Sequence, residues 1–195
     1  HGDRLAKVLD DREIVLDHQH GAVGGGRLDQ VGDAVDVLLA HGRGGRLSRE
    51  LIEIEILSRF GKGPLAGLPD AATLAQPDTP LIFSSDSFVV SPLFFPGGNI
   101  GDLAVYGTVN DIAVCAGEPL WLSLAMILEE GLELSVLRKV LDAIRESAGR
   151  CNVQVVTGDT KVVRRGQCDG MYLTSAGIGR LRAGFVLGRD RLAPG

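Results

Sequence analysis

The sequence is poor in cysteine, in basic charge and in long apolar runs, and each scarcity excludes a class of protein. Its three cysteines, Cys115, Cys151 and Cys168, are odd in number and lack C-x-x-C spacing, so we expect buried or incidental thiols. The longest apolar run, residues 119–128, is half of the ~20 residues needed to span a bilayer. Residues 1–20 carry eight charged side chains and no apolar signal-peptide core. We therefore expect a soluble, cytoplasmic protein.

Basic residues are outnumbered and scattered. The chain has 20 Lys and Arg against 25 Asp and Glu, for a net charge of −5. A nucleic-acid-binding protein needs a basic patch to neutralise phosphates, and none is visible. An anionic substrate must then be held by a few local groups. With 195 residues and 45% hydrophobic content, the chain can bury one core with an appendage.

Hydrophobic periodicity predicts one α/β domain at residues 35–180. It is preceded by a flexible extension at 1–34, which mixes charges and glycines without periodicity. The pattern predicts an edge strand at 35–39, strands at 81–90, 120–128, 153–156 and 171–180, and helices at 48–60, at 103–115 and from Ser135 onward. The helix at 103–115 is apolar nearly all round and is expected to be buried. This order predicts a sheet with helices on one face.

Three acidic motifs interrupt or close apolar segments. They are Ser85-Asp86-Ser87, Asn110-Asp111 and Gly158-Asp159-Thr160-Lys161. A carboxylate in such a place is costly unless it has a cation or a hydrogen-bond donor. Because Mg²⁺ prefers one or two carboxylates together with phosphate oxygens, we predict a Mg²⁺ and polyphosphate site with Asp86, Asp111 and Asp159 as metal ligands and Lys161 as the phosphate-neutralising cation. Ordinary turns at Asp86 and Asp159 remain the alternative.

A glycine-rich segment, His41-Gly42-Arg43-Gly44-Gly45-Arg46, stands directly before the first predicted helix. Backbone N–H groups in such a loop, together with the positive end of a helix, favour an anion. The segment is not a Walker A loop, because no Gly-Lys-Ser/Thr follows. A plain flexible connector remains the alternative.

Several longer stretches resemble the hydrogenase maturation factor HypE family. They are residues 85–101, which contain Phe94-Phe95-Pro96-Gly97-Gly98, and residues 107–111, 127–131 and 156–163, with 41–45 resembling the family's glycine-rich loop. The resemblance covers residues 38–180. HypE belongs to an ATP-using superfamily with aminoimidazole ribonucleotide (AIR) synthetase, thiamine-monophosphate kinase and selenophosphate synthetase.

The resemblance implies an AIR synthase N-terminal-like fold. Such a domain has a mixed, mainly antiparallel sheet with helices on one face and a barrel-like interface in a homodimer; we expect Phe94 and Phe95 to take part in that interface. The implied cofactors are ATP and Mg²⁺. The implied catalytic residues are Asp159 and Lys161, and the implied cofactor-binding residues are His41, Gly42, Gly44, Gly45, Asp86, Asn110, Asp111, Asp159, Thr160 and Lys161.

The implied activity is ATP-dependent dehydration of a carbamoyl group carried on a C-terminal cysteine. It leaves a thiocyanate that supplies the cyanide ligands of [NiFe]-hydrogenase iron. The implied partners are the carbamoyltransferase HypF and the HypC–HypD complex. No cysteine lies near Gly195, so residues 181–195 are interpreted as a linker to a missing C-terminal domain, and these 195 residues are expected to bind Mg-ATP without making thiocyanate.

Two other functions remain open at this stage. The chain could be a non-catalytic dimerisation module of the same family. It could also be an enzyme like thiamine-monophosphate kinase or selenophosphate synthetase, although Phe94-Phe95-Pro96-Gly97-Gly98 argues against that alternative.

Overall fold

The computed structural model describes residues 36–42, 45–60, 64–65, 68, 71–184 and 187. A 3₁₀ turn (Leu39–Gly42) precedes a continuous helical stretch made of α1 (Arg46–Leu51), a π-helical segment (Ile52–Leu57) and α2 (Ser58–Phe60). The remaining elements are β1 (Leu81–Phe88), β2 (Phe94–Phe95), β3 (Gly98–Asn99), α3 (Ile100–Val114), β4 (Gly117–Glu129), α4 (Leu134–Arg150), β5 (Gln154–Val163) and β6 (Met171–Leu181). No helix among the described residues is long and apolar enough to cross a membrane.

The main sheet has four strands in the order β1-β6-β4-β5, and β2 and β3 form a separate short hairpin. Strand β6 is antiparallel to both β1 and β4, whereas β4 and β5 are parallel. Parallel neighbours need a crossover, which α4 supplies between β4 and β5. The prediction of a mixed, mainly antiparallel sheet is confirmed. The described strands of one chain form an open sheet, so a barrel would need a second copy.

The core lies between one face of this sheet and the helices. Side chains alternate along β4, and every second one from position 122 to 128 is buried against the helices. The buried set comprises Leu122, Leu124, Met126 and Leu128 of β4 with Leu137, Leu141 and Ile144 of α4. The prediction of helices on one face is therefore confirmed. The outer face of the sheet carries no described element.

Helix α3 begins at a capping box and not at residue 103. The Asn99 side chain accepts from the Gly101 N–H at 2.8 Å, and Asp102 accepts from the Asn99 N–H at 3.0 Å. Ser147 of α4 donates to Asp102 at 2.6 Å, so the same carboxylate ties α3 to α4. Helix α4 has Glu133 as its N-cap, two residues earlier than the predicted cap at Ser135.

Two predicted strands differ in the structure. The edge strand at 35–39 is wrong in its described part: Asp36 forms one isolated bridge with Glu133, and the chain then turns into the 3₁₀ helix. Strand β5 continues to Val163 because its parallel ladder with β4 persists. The segment 158–161 thus lies inside a strand and not in a loop after one. The predicted extension at 1–34 and most of the predicted linker at 181–195 lie outside the described residues.

A buried carboxylate fastens the helical stretch 46–60 to α4. The side chain of Glu55 is 2% exposed and accepts from the Arg138 guanidinium at 2.8, 3.0 and 3.2 Å. Arg59 donates to the same carboxylate at 3.2 Å and to Asp142 of α4 at 2.9 Å. Two guanidinium groups thus compensate the one buried charge. This network fixes the helical stretch over the part of the sheet formed by β4 and β5.

Candidate functional site

Asp86 lies in β1, on the side of the strand that faces α3. Its Oδ2 accepts a hydrogen bond from Thr108 Oγ1 at 3.3 Å. The Thr108 hydroxyl is 2.5 Å from that of Ser175, which also donates to the carbonyl of Ala104 at 2.9 Å. Thr108 and Ser175 are almost fully buried, whereas Asp86 is half-buried. Among the described residues Oδ1 of Asp86 has no partner, so it can take a ligand.

Asn110 and Asp111 are exposed near the end of α3, so the expectation of a buried carboxylate on an apolar helix is wrong. The reason is that α3 packs here against β1, the edge strand of the sheet, and water reaches its other side. Asp111 accepts from the Ser84 hydroxyl of β1 at 3.1 Å. Ser84 and Asp86 are two residues apart on β1, roughly 7 Å. Asp86 and Asp111 therefore share the interface between β1 and α3.

The Gly-Asp-Thr-Lys segment occupies the middle of β5. Asp159 and Lys161 are exposed and, being two residues apart in a strand, lie on the same face about 7 Å from each other. One Asp159 oxygen accepts from the Thr160 N–H at 2.8 Å. Neither Asp159 nor Lys161 forms an ion pair with a described residue. Gly158 permits a very close approach to β4, because a Cβ there would lie 2.2 Å from the Leu124 carbonyl oxygen.

The start of the glycine-rich segment lies against the end of β5. A Cβ on Gly42 would be 2.5 Å from the Val162 backbone nitrogen, so only glycine permits this contact. His41 is buried, its Nδ1 accepts from the Leu38 N–H at 3.1 Å, and burial lowers the pKa of its imidazole. Gly45 has a φ of 82°, a left-handed conformation that glycine adopts without strain. Gly44 lies outside the described residues.

The described residues of one chain do not bring the three predicted metal ligands together. Across the sheet, Asp86 of β1 pairs with Ser175 of β6, Ser175 pairs with Leu124 of β4, and Leu124 pairs with Gly158 of β5. Asp86 and Gly158 are therefore three strand spacings apart, or roughly 14 Å. Asp159 is the next residue and points to the opposite face. No cluster of three or more His, Cys, Asp or Glu in the described part of the chain could hold a metal. The roles of these residues in metal and nucleotide binding stay predictions.

The donor chemistry still fits Mg²⁺ bound with a nucleotide. Mg²⁺ is usually held by one or two carboxylates plus phosphate oxygens and water, and does not need an all-protein cage. Asp86, Asp111 and Asp159 each have oxygen lone pairs unused by any described cation. Lys161, which forms no ion pair with a described residue, is a point charge of the kind that binds phosphate.

Burial disfavours the reactive thiolate form at two of the three cysteines. Cys115 is exposed, Cys151 is partly exposed and Cys168 is buried. Burial raises the pKa of the Cys151 and Cys168 thiols above the ordinary value, which disfavours the nucleophilic thiolate.

Sequence reasoning missed the groups that support these residues. Thr108 and Ser175 hold Asp86. Thr108 stands two residues before Asn110 in the stretch 107–111, and Ser175 stands inside an apolar strand, but neither pattern indicated that its hydroxyl contacts this site. Glu55 was also missed. The alternation Ile52-Glu53-Ile54-Glu55-Ile56 inside a predicted helix could have indicated that one glutamate faces inward.

Comparisons with known proteins are consistent with this geometry. Residues 69–181 match the family described as AIR synthase related protein, N-terminal domain. The carbamoyl dehydratase HypE of Rhodobacter capsulatus is 49% identical over 162 residues, which are 82% of this chain and 47% of that protein. A crystal structure of the hydrogenase maturation protein HypE in complex with ATP gives a TM-score of 0.77 at 46% identity, covering 81% of this chain and 47% of the other.

A crystal structure of a HypE–HypF complex gives a TM-score of 0.58 at 40% identity and covers 74% of this chain and 47% of the matched chain. In each comparison this chain spans about half the length of the relative that it matches.

Proposed function

Because this chain belongs to the AIR synthase related family, whose N-terminal domain it contains, and is a homologue of HypE, we propose that it is the ATP-binding part of a HypE-type carbamoyl dehydratase. The observation that carries the proposal is the 46% identity and TM-score of 0.77 to a HypE in complex with ATP. The reaction proposed for the whole protein is dehydration of a carbamoyl group on a C-terminal cysteine to a thiocyanate, in the service of [NiFe]-hydrogenase maturation. A cytoplasmic location is part of this proposal.

The residues of this chain would act mainly by positioning and by neutralising charge. Bound ATP with Mg²⁺ would supply the phosphoryl group that activates the carbamoyl oxygen. Asp86 and Asp111 offer carboxylate oxygens to the metal from the β1–α3 interface, and Thr108 keeps Asp86 in place. Lys161 would neutralise phosphate oxygens, and Asp159 would offer a further carboxylate on the same face of β5. Such electrostatic stabilisation is the main requirement of phosphoryl transfer.

We also propose a homodimer that forms through the outer face of the sheet. Phe83 is 68% exposed there, Leu81 55% and Ile127 41%. Trp121 lies on the same face, in register with β6. A second copy of the chain would cover these apolar side chains and complete a barrel-like interface. Phe94, which is 40% exposed on the β2–β3 hairpin, is a further candidate for this interface.

HypF is the proposed carbamoyl donor protein, since a HypE similar to this chain has been crystallised with HypF. Contact with HypC–HypD stays a prediction. The relatives at 40–49% identity are named carbamoyl dehydratase HypE or hydrogenase expression/formation proteins, and this supports a HypE-type acceptor over a thiamine-phosphate or selenium acceptor. A non-catalytic dimerisation module would bind no nucleotide, so binding separates the two remaining functions.

Isothermal titration with Mg-ATP tests the proposal. We expect binding by the unmodified chain and a loss of about tenfold or more in the Asp159→Asn variant, because each removed charge contact is worth more than about 1.4 kcal/mol. Asp169→Asn is the matched control, since Asp169 is exposed, carries the same charge and makes no side-chain bond with a described residue. Asp142 is unsuitable because it pairs with Arg59. Equal affinities for the two variants would remove Asp159 from the site, and absent binding at millimolar Mg-ATP would refute the proposal.

A further inference from the structure

Glu129, at the end of β4, belongs to the stretch 127–131, to which the proposed function gives no role. Its carboxylate accepts two backbone hydrogen bonds from the turn between β5 and β6. Oε1 accepts from the Gly166 N–H at 2.5 Å, and Oε2 accepts from the Gly170 N–H at 2.9 Å. Because these bonds favour the charged form, they lower the pKa of Glu129. The turn therefore binds a full negative charge at neutral pH.

The same carboxylate stands near Lys161 on the outer face of the sheet. Lys161 pairs with Ile127 in the parallel ladder, and Glu129 follows Ile127 by two residues, so the three side chains share that face. The Cα atoms of Glu129 and Lys161 are roughly 8 Å apart on the diagonal, a distance that two long side chains can bridge. Lys161 nevertheless forms no ion pair with a described residue. Asp159, the neighbouring carboxylate on β5, accepts from the Thr160 N–H.

The turn is shaped so that its N–H groups stay directed at Glu129. The Glu129 N–H donates to the Gly170 carbonyl at 2.8 Å, and the Gln167 N–H donates to the Arg164 carbonyl at 3.1 Å. Gly166 and Gly170 have φ angles of 82° and 77°, in the left-handed region that glycine adopts without strain. The two donors are thus in place before any ligand binds.

Arg165 is the other cation close to Glu129. Its guanidinium lies over Gly131, where a Cβ would be 2.2 Å from one of its nitrogens. The charge of Arg165 lowers the pKa of Glu129 less than either N–H group does. The backbone of the turn is therefore the main partner of the carboxylate.

We propose that the turn 164–170 keeps the Glu129 carboxylate from pairing with Lys161, and so leaves Lys161 available to phosphate. The inference rests on the proposed function, in which Lys161 neutralises phosphate oxygens. Glu129 is then a positioning residue that acts through Lys161 and does not touch the nucleotide. An exposed Lys–Glu pair gains little free energy, whereas hydrogen bonds to a carboxylate are among the stronger ones, so two of them suffice to prevent the pair. If the turn opened, Glu129 would compete with phosphate for Lys161.

The test opens the turn and then removes the competing charge. Gly166→Pro deletes one of the two N–H groups, and proline cannot adopt the φ of 82° found there. Isothermal titration of the full 195-residue chain is expected to show about fivefold weaker Mg-ATP binding, because Lys161 is now paired. Adding Glu129→Gln is expected to restore the affinity, which it would not do if the turn had only a structural role.

Gly184→Pro is the matched control. Gly184 also has a φ of 82°, is exposed and has no neighbour that a Cβ would meet, but it follows the far end of β6. This substitution is expected to leave the Mg-ATP affinity unchanged. Gly166→Ala covers the case in which Gly166→Pro does not fold: it strains the same φ, and its loss of about twofold should also be reversed by Glu129→Gln.

A second measurement needs no ligand. The ¹³C chemical shift of the Glu129 carboxyl group is expected to respond to Lys161→Met more strongly in the two Gly166 variants than in the unmodified chain. Full affinity in the Gly166 variants, a loss that Glu129→Gln does not reverse, or a carboxyl shift that responds to Arg165→Met instead would overturn the inference and leave the proposed function standing. If the unmodified chain does not bind Mg-ATP, the proposed function falls, and the carboxyl shifts alone decide whether the turn separates Glu129 from Lys161.

Discussion

Neutralising the buried carboxylate of Glu55 is the most direct test of how the helical stretch is held. The Glu55→Gln substitution keeps the size of the side chain and removes its charge. It weakens the bonds from Arg138 at 2.8–3.2 Å and the bond from Arg59 at 3.2 Å. The side chain is 2% exposed, so water cannot replace these partners at Glu55 itself.

The expected loss in the free energy of unfolding follows from the burial of Glu55 and the partial exposure of Arg59 and Arg138. Breaking a fully buried pair costs about 3–5 kcal/mol. Arg138 is 39% exposed and Arg59 17%, so water can partly solvate the released guanidinium groups. We therefore expect about 2–4 kcal/mol, a large part of the ~5–15 kcal/mol that stabilises a typical domain. In a chain of this size, that corresponds to a fall in Tm of roughly 5–15 °C.

Urea denaturation of Glu55→Gln and Glu53→Gln measures this loss against a matched control. Glu53 pairs with Arg49 at 2.7 Å in the same helical stretch, but the two side chains are 47% and 66% exposed. An exposed i,i+4 pair is worth about 0.5 kcal/mol or less. If Glu55→Gln loses no more stability than Glu53→Gln, the network does not fasten the helical stretch and the reasoning fails.

Three further predictions concern other parts of the fold. Gly158→Ala should lower the free energy of unfolding by about 1–3 kcal/mol or more, as expected of overpacking, because its Cβ would lie 2.2 Å from the Leu124 carbonyl oxygen. The control Gly149→Ala in α4 meets nothing within 4 Å and should be neutral or stabilising by about 0.5–1 kcal/mol; thermal unfolding of both variants measures the difference. Burial lowers the pKa of His41 in the folded chain, so the unfolded chain binds the proton first as pH falls. The contribution of His41 to the free energy of unfolding is therefore complete above the ordinary pKa of 6.5 and is lost as pH falls toward the lower folded value. Between about pH 7.5 and about pH 5.5, the free energy of unfolding should therefore fall more for the unmodified chain than for His41→Asn, by up to about 1.4 kcal/mol per pH unit. Urea denaturation at the two pH values measures this difference, and equal falls would contradict the prediction. Phe83→Asp should shift the chain toward monomer in light scattering, whereas Val114→Asp, at a position 71% exposed on α3, should not; a dimer that survives Phe83→Asp would place the interface elsewhere.

Local patterns in the sequence were sufficient for most of the fold. The apolar face of α4 and the alternation in β4 identify those elements, because burial of one face follows from their periodicity. The extent of β5 could not be predicted, since its polar residues 157–161 are kept in the strand by pairing with β4, a contact distant in sequence. The exposure of Asp111 was missed for the same reason: it depends on which strand lies beneath α3.

The candidate site was predicted at the level of residues and not of geometry. Motifs identify Asp86 and Asp159, but only the strand order shows that they lie on opposite edges of the sheet. An apolar cavity between the helical stretch 46–60 and the sheet, beside Thr160, has no local signal in the sequence, because its walls come from four separate segments of the chain.

The contact between Gly42 and Val162 also affects the tendency of the chain to aggregate. Strand β5 is an edge strand: β4 pairs with one side, and no described strand pairs with the other. An open edge with free N–H and C=O groups is a template for intermolecular strand addition. The 3₁₀ turn that ends at Gly42 lies against that edge, where any larger residue would collide with the Val162 backbone. A side chain at position 42 would lift the turn and uncover the edge, so its first consequence would be aggregation during expression rather than a change in ligand affinity.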